Sequence, residues 1–305
     1  MMGMSLPISI VIPTYRREQV LLDTIDYLLA LQPAASEILV LDQTEKHESL
    51  TELRLQELAE SGSIRWLRFE QPSIPKMMNR GLLEAKHDIV LFLDDDIRPE
   101  AELLAAHFTI HQTHNNVLAA GRVIQPWQEG KDFSGEKTFC FANLKPIWLR
   151  EFMGGNFSIH RKTALLLGGF DENFVRVAYR FEAEFAYRFL KAGNRIYFEP
   201  RACLHHLKTE DGGTRAFGEH LTTWKPDHAV GAYYYFLRTG SGFDFFLRPI
   251  LSIATHYHLK HPWQIPLTLL AEFRGMLWAL KLFCGGPRYV DTNTFNRDGA
   301  QFLRG

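Results

Sequence analysis

Short apolar stretches and amphipathic segments of helical period alternate along the first 125 positions. Ile8–Ile12 is compact and β-branched, and Pro13 breaks it. Glu18–Leu31 then sets Val20, Leu21, Leu22, Ile25, Leu28, Leu29 and Leu31 at helical recurrence. Glu37–Leu41 is a second apolar run ending on Asp42, and strand, helix, strand at this spacing predicts a parallel crossover. The alternation repeats with a helix over Glu48–Ser61, whose apolar side reads as Leu50, Leu53, Leu55 and Leu58, and a third strand over Ile64–Phe69. A helix over Lys76–Ala85 follows, entered through Pro72 and Pro75. Ile89–Leu93 is apolar throughout, as a strand buried on both faces would be, and runs straight into Asp94, Asp95 and Asp96. Beyond it the pattern predicts a strand over Leu118–Ile124 and an aperiodic stretch over Pro126–Asn143. An amphipathic helix carrying Phe181, Phe185 and Phe189 and closed by Gly193 comes next, then a strand over Arg195–Phe198. From Trp224 onward, aromatic and bulky aliphatic residues suggest helices with one apolar side. The fold class is therefore α/β, a mixed and mostly parallel Rossmann-like sheet flanked by helices, with a helical C-terminal extension.

At 305 residues the chain can bury a large core, and we divide it into a catalytic domain over 1–222 and an extension over 223–305. The first domain splits further, into a nucleotide-binding half of about 1–100 and an acceptor half of about 101–222. Lys plus Arg number 34 against 35 for Asp plus Glu, so no basic field recruits nucleic acid. Cys140, Cys203 and Cys284 lie far apart, which excludes a paired-cysteine metal signature and a small disulfide framework. Glu272, Arg274 and Lys281 interrupt the apolar stretch Ile265–Cys284, making it a poor bilayer span. With no secretory pattern at Met1–Pro7, the expectation is a cytoplasmic protein, free or on the inner face of the cell membrane.

Carboxylates at the carboxyl end of a buried strand are hard oxygen ligands, and sites in open α/β sheets lie outside such strand ends. Asp94, Asp95 and Asp96 are therefore candidates for holding a divalent cation and its phosphates; the ordinary alternative is that they cap a helix over Pro99–Leu104. The loop Pro13, Thr14, Tyr15, Arg16, Arg17 and the neighbouring strand end at Asp42 can hold a nucleoside, with Asp42 accepting from a base or ribose and an arginine meeting phosphate. Thr14 as a helix cap and Asp42 as the start of a turn remain the structural alternatives. Lys76 and Asn79 fall near the same edge.

The order Ile-Pro-Thr-Tyr-Arg, Val-Leu-Asp, Asn79-Arg80-Gly81-Leu82 and Phe-Leu-Asp-Asp-Asp over Ile8–Pro99 resembles the inverting family 2 glycosyltransferases of GT-A fold. The later pair Gly154-Gly155-Asn156 and Gly168-Gly169-Phe170-Asp171-Glu172 extends the resemblance. It implies that Pro13, Thr14 and Asp42 contact the nucleoside, Asp94 a ribose or sugar, Asp96 the metal of the Asp-x-Asp motif, and Asn156 the donor sugar, with Asp95 a spacer beside the nucleotide. It further implies that Glu182 takes the place of the general base, with Glu184 the second choice. The resemblance also implies that His206, six residues after Pro200, completes the metal or diphosphate site, and an imidazole joined to an Asp carboxylate suits Mn²⁺ better than Mg²⁺. Arg215, in a glycine-rich loop, is placed to fold over the leaving diphosphate. Two positions depart from the family pattern: Met78 stands where arginine is frequent, leaving phosphate contact to Lys76 or Arg80, and Phe181 stands where an acid precedes the base.

The expected function is transfer of a sugar from a nucleoside diphosphate to a hydroxyl of a glycan or lipid-linked acceptor. The competitors are a sugar- or nucleotide-binding protein of the same fold with impaired catalysis, suggested by Phe181, and a metal-dependent phosphatase, which would want its acids after the first strand. Two arrangements stay open for the tail: a helical cap on the core, or an interfacial membrane contact that brings the site to a lipid-linked acceptor. Trp127, Phe133 and Phe141 fit core packing better than sugar stacking.

Overall fold

The computed structural model describes residues 5–135, 138–209, 212–213 and 220–290. The expected alternation forms as strand β1 (Ser5–Thr14), helix α1 (Gln19–Ala30), β2 (Ala34–Asp42), α2 (Ser49–Glu60), β3 (Arg65–Arg68), α3 (Ile74–Glu84) and β4 (Ile89–Leu93). β1 pairs in parallel with both β2 and β4, and β2 with β3, so the carboxyl ends of four strands share one edge. Every residue of β4 is buried, as its unbroken apolar run requires.

After β4 the chain does not enter a helix. It makes a three-residue strand, β5 (Ile97–Pro99), and only then α4 (Leu103–Thr113), so the three aspartates are not helix caps. The sheet continues through β6 (Val117–Ile124), β7 (Ile147–Leu149), β8 (Asn156–His160) and β9 (Arg195–His206), with α5 (Arg161–Leu166) and α6 (Phe181–Lys191) between the last two. β8 inserts antiparallel between β4 and β6, while β9 runs parallel to β6 and antiparallel to β5 and β7, giving the order β3-β2-β1-β4-β8-β6-β9-β5. The β5–β9 register sets His206 opposite Ile97, beside the aspartates. Strand alternation turns adjacent His205 the other way, onto Glu100 and Glu129 at 2.7 and 2.6 Å.

Two details differ from the sequence pattern. Leu50 and Leu53 of α2 are exposed, because Thr51, Leu55 and Leu58, spaced i, i+4, i+7, form the buried line instead. Trp127 is also exposed, with the Lys208 ammonium 4.1 Å from its ring centre, whereas Phe141 packs edge-on against Phe139 and Phe198.

The tail is helical: α7 (Ala229–Thr239), α8 (Gly242–Ile253), α9 (His256–Lys260) and α10 (Ile265–Cys284). α7 is part of the main core. Val230, Tyr233 and Tyr234 are fully buried with Phe174, Phe181 and Phe185, and the Tyr234 hydroxyl donates to Asp171 at 2.7 Å. Gly231 of α7 lies against the Tyr179 backbone in the turn before α6, and Gly275 of α10 lies against Ala229 of α7, so close backbone approach leaves no room for a side chain at either. α8 and α10 carry a second, outward apolar face that includes Phe243, Phe246, Ile250, Phe273 and Leu277. Among the described residues no helix is long and apolar enough to cross a membrane.

Candidate active site

Four elements converge where the sheet edge opens. The end of β1 and the loop after it supply Pro13, Thr14, Tyr15 and Arg17; Gln43 follows β2; the start of α3 and the loop before it bring Pro72 to Ile74 and Met78; and the chain leaving β4 delivers Asp94, Asp95 and Asp96. With Arg176, His206 and Gly213 they line a cavity of about 170 Å³.

Asp94, Asp96 and His206 form its polar wall. One ligand atom from each lies within 4.8 Å of the others, and His206 Nε2 is 3.0 Å from Asp96 Oδ1 and 3.9 Å from Asp94 Oδ2. His206 Nδ1 lies 3.1 Å from the Gln125 side-chain oxygen, so it donates there and leaves Nε2 to face the carboxylates. Two carboxylates and one imidazole so oriented fit a divalent cation. Asp94 thus joins the pair Asp96 and His206.

Arg17 lies beneath this group. Its Nε donates to Asp95 and its Nη2 to Asp96, both at 3.1 Å, and its Nη1 meets the Thr209 hydroxyl. Burial pushes the Asp95 carboxyl up to about 7, opposed by Arg17 and reinforced by the charge of Asp96. Burial acts on Asp96 too, but the bond and charge of His206 together with Arg17 outweigh it and hold that carboxyl below its ordinary value. Thr24 of α1 fixes the backbone between them: its hydroxyl contacts the Asp95 and Ile97 carbonyls and accepts from the Ile97 amide.

Glu182, in the first turn of α6, does not line that cavity; it stands on the far side of the Gly154-Gly155 loop from Asp94. The Gly154-Gly155 loop explains how it comes near the aspartates. A Cβ on Gly155 would collide with the Asp94 carboxylate, and one on Gly154 would sit 3.0 Å from Glu182 Oε1. Consecutive glycines therefore back one carboxylate each, while the Asp94 amide donates to the Gly155 carbonyl at 3.2 Å. Burial raises Glu182 to about 7, and Asp94 adds to the rise. Glu184, one turn position on, is fully buried, receives Arg188 at 2.9 Å and lies 3.5 Å from Arg238. Arg188 in turn donates to the Leu167 and Gly169 carbonyls, so Glu184 braces a turn.

Several other expected residues are engaged internally. Asp42 is fully buried: Oδ2 accepts from Trp66 Nε1 at 3.0 Å and lies 2.7 Å from His47 Nε2, while Oδ1 accepts from the Thr44 amide. Its neighbour Gln43 reaches the cavity instead. Asn79 ties α3 to the turn at Gly169, exchanging hydrogen bonds with Phe170. Asn156 is enclosed, donating to the Arg122 and Ala202 carbonyls and lying 2.9 Å from His107 Nε2. Arg16 pairs with Glu45 at 3.2 Å on the surface, and Lys76 contacts Gln71. Pro13, Thr14, Tyr15, Asp94, Asp95, Asp96 and His206 are brought together at the cavity; Arg215 lies outside the described residues. Sequence reasoning missed Gln43 and Arg176. Strand alternation beyond Asp42 could have found Gln43. No periodicity points to Arg176, which reaches the cavity through a left-handed backbone at φ 61°.

A doubly crossed α/β sheet with an Asp-x-Asp and histidine at its open edge is the architecture of GT-A nucleotide-sugar transferases. The chain belongs to glycosyl transferase family 2, whose model matches residues 9–174. Among solved structures it is similar to GalNAc-T7 with UDP, GalNAc and Mn²⁺, at 14% identity and a TM-score of 0.56, covering 85% of this chain. The chain spans 58% of the GalNAc-T7 chain. It is also similar to the mannosyltransferase PcManGT from Pyrobaculum calidifontis in complex with GDP-Man and Mn²⁺, at 17% identity and a TM-score of 0.55, covering 93% of this chain and 80% of that one. No curated protein matches by sequence.

Proposed function

We propose that the protein is a metal-dependent, inverting glycosyltransferase that moves a sugar from a nucleoside diphosphate to a hydroxyl of a glycan or lipid-linked acceptor. The observation that carries this reading is the placement of Glu182 and the Asp94–Asp96–His206 group on the two sides of Gly154-Gly155. The nucleoside lies against Pro13 to Tyr15 and Gln43, and Arg176 offers its guanidinium to the diphosphate. Asp94, Asp96 and His206 would hold a divalent cation, which would supply positive charge against the departing diphosphate. Glu182 accepts the proton of the acceptor hydroxyl as its oxygen bonds to the anomeric carbon. The anomeric C–O bond breaks, and its electron pair leaves with the nucleoside diphosphate. Attack opposite the leaving group inverts the anomeric centre.

Glu182→Gln separates this reading from a binding protein of the same fold. A transferase loses at least a hundredfold in turnover while its melting temperature still rises with a nucleoside diphosphate and Mn²⁺. Unchanged turnover in that variant removes Glu182 as the base. Absence of turnover in the unmodified protein, with stabilisation by nucleotide retained, favours the binder. Trials with UDP, GDP and dTDP identify the base of the donor.

A further inference from the structure

A second cavity, of about 640 Å³, lies between the start of α6 and the helical tail. The connection Arg176–Arg180 separates it from the nucleotide cavity. Arg176 lines the first, Tyr179 and Arg180 line the second, and Glu182 follows two residues on. Arg176, Ala178 and Arg180 all hold left-handed backbone, at φ 61°, 54° and 73°. Three such non-glycine residues within five positions are costly, and they let so short a segment serve both cavities.

The lining of the second cavity is chemically mixed. Arg180, Lys225 and Arg248 supply cations, and Asp244 and Glu272 supply carboxylates; Arg180 is shared with Glu151 at 3.0 Å and Arg248 with Glu272 at 2.9 Å. Ser252, Thr255 and Thr268 supply hydroxyls, and Arg180 lies over the Tyr235 ring, 4.8 Å from its centre. Leu251 belongs both to this lining and to the exposed apolar face of the tail, so the polar cavity is continuous with that face. Phe246 and Ile250 of α8 and Phe273 and Leu277 of α10 extend the face, with Arg274 and Lys281 on α10 and Lys260 at the end of α9. A polar, cation-bearing chamber opening onto an apolar surface matches one class of ligand, an amphiphile with a phosphate next to its polar head.

We infer that this second cavity is the acceptor site and takes the sugar-phosphate head of a lipid-linked acceptor, whose apolar chain lies along α8 and α10. The inference rests on the transferase reading and narrows its acceptor class. The phosphate meets Arg180, Lys225 or Arg248, and the head-group hydroxyls meet Ser252 and Thr255. The attacking hydroxyl reaches Glu182 past Tyr179.

Titration calorimetry on the full chain with Mn²⁺ and a nucleoside diphosphate tests it, using farnesyl phosphate below its micellar concentration, farnesol and inorganic phosphate as probes. Farnesyl phosphate is expected to bind at least tenfold more tightly than either of the others. Ser252→Trp, which fills the cavity from α8, and Lys225→Glu, an exposed change that disturbs no packing, are each expected to weaken it at least tenfold. Both should keep the melting-temperature rise given by nucleotide and Mn²⁺. Equal binding of farnesyl phosphate to both variants and to the unmodified chain overturns the site. Binding no tighter than farnesol's overturns the phosphate contact, and binding no tighter than inorganic phosphate's overturns the lipid chain. Should Ser252→Trp not fold, Lys225→Glu decides. If farnesyl phosphate behaves as expected but no nucleoside diphosphate stabilises the protein, the site stands and the transferase reading falls.

Discussion

As the proposed base, Glu182 would act only when ionised, and burial holds its carboxyl near 7 rather than in the ordinary carboxylate range. Activity is therefore expected to fall as pH drops through about 7, because the protonated acid cannot accept the acceptor's proton. A pH–rate profile at saturating donor and cation checks this, and a flat profile down to pH 5 would contradict it. A different balance holds at Asp42 and His47. Burial disfavours charge on both, yet their mutual bond wins, lowering Asp42 and raising His47, with Glu18 adding to the latter. The sign is fixed by the two directions. The His47 contribution is complete below its ordinary value near 6.5 and is lost as pH rises through its higher folded value, whereas the Asp42 contribution is lost only in acid. His47→Gln should therefore cost more stability at pH 6 than at pH 9, as read by urea midpoints. The aspartate was visible in the sequence as a strand end, but its closure by Trp66 was not, since that partner comes from a strand 24 positions away. Arg17 was legible only as a phosphate contact; its place under Asp95 and Asp96 depends on the parallel pairing of β1 with β4.

At the level of elements, the Gly154-Gly155 loop sets the geometry between Glu182 and the Asp94–Asp96–His206 group. Gly155→Ala forces a Cβ into Asp94 and is expected to lower turnover and cation-dependent nucleotide binding at least tenfold. Gly135→Ala, where an added Cβ meets nothing, serves as the control and should leave both unchanged. Helix α4 contributes a separate pH response. His107 and His111 lie against β8 through Ser158 and Asn156, and burial depresses them to about 4 and about 3. A neutral buried histidine stabilises fully above its unfolded value of about 6.5 and loses that contribution as pH falls toward the folded one. The free energy of unfolding should thus drop between pH 6.5 and 4, by on the order of a few kcal/mol, and His107→Gln should flatten part of that slope. The strands and crossovers that carry these groups were readable because apolar runs and helical period are local signals. β5 and β7 were not, because three residues carry no period and their pairing with β9 is a long-range choice.

Across the whole molecule, residues from position 13 to position 213 meet at one cavity, and the tail helices complete the core behind it. The motifs named in the sequence keep their order along the chain, and Pro13, Thr14, Tyr15, Asp94, Asp95, Asp96 and His206 meet here while Asp42, Lys76, Asn79 and Asn156 do not line the cavity. Composition, by contrast, left the tail open between core cap and surface contact, and the helices divide those roles: α7 buries Tyr233 and Tyr234, while α8 and α10 leave Phe243, Phe246 and Phe273 outward. The three pairings of β5 with β9 bear on how this assembly breathes. They join the aspartates to His206 across 110 positions at the sheet's edge, and Pro99 contributes no amide to them. So short an edge ladder opens at lower free energy than the parallel strands beside it. Amide exchange at Ile97 and Leu207, whose donors reach Thr24 and the Asp96 carbonyl, then counts how often the cleft comes apart.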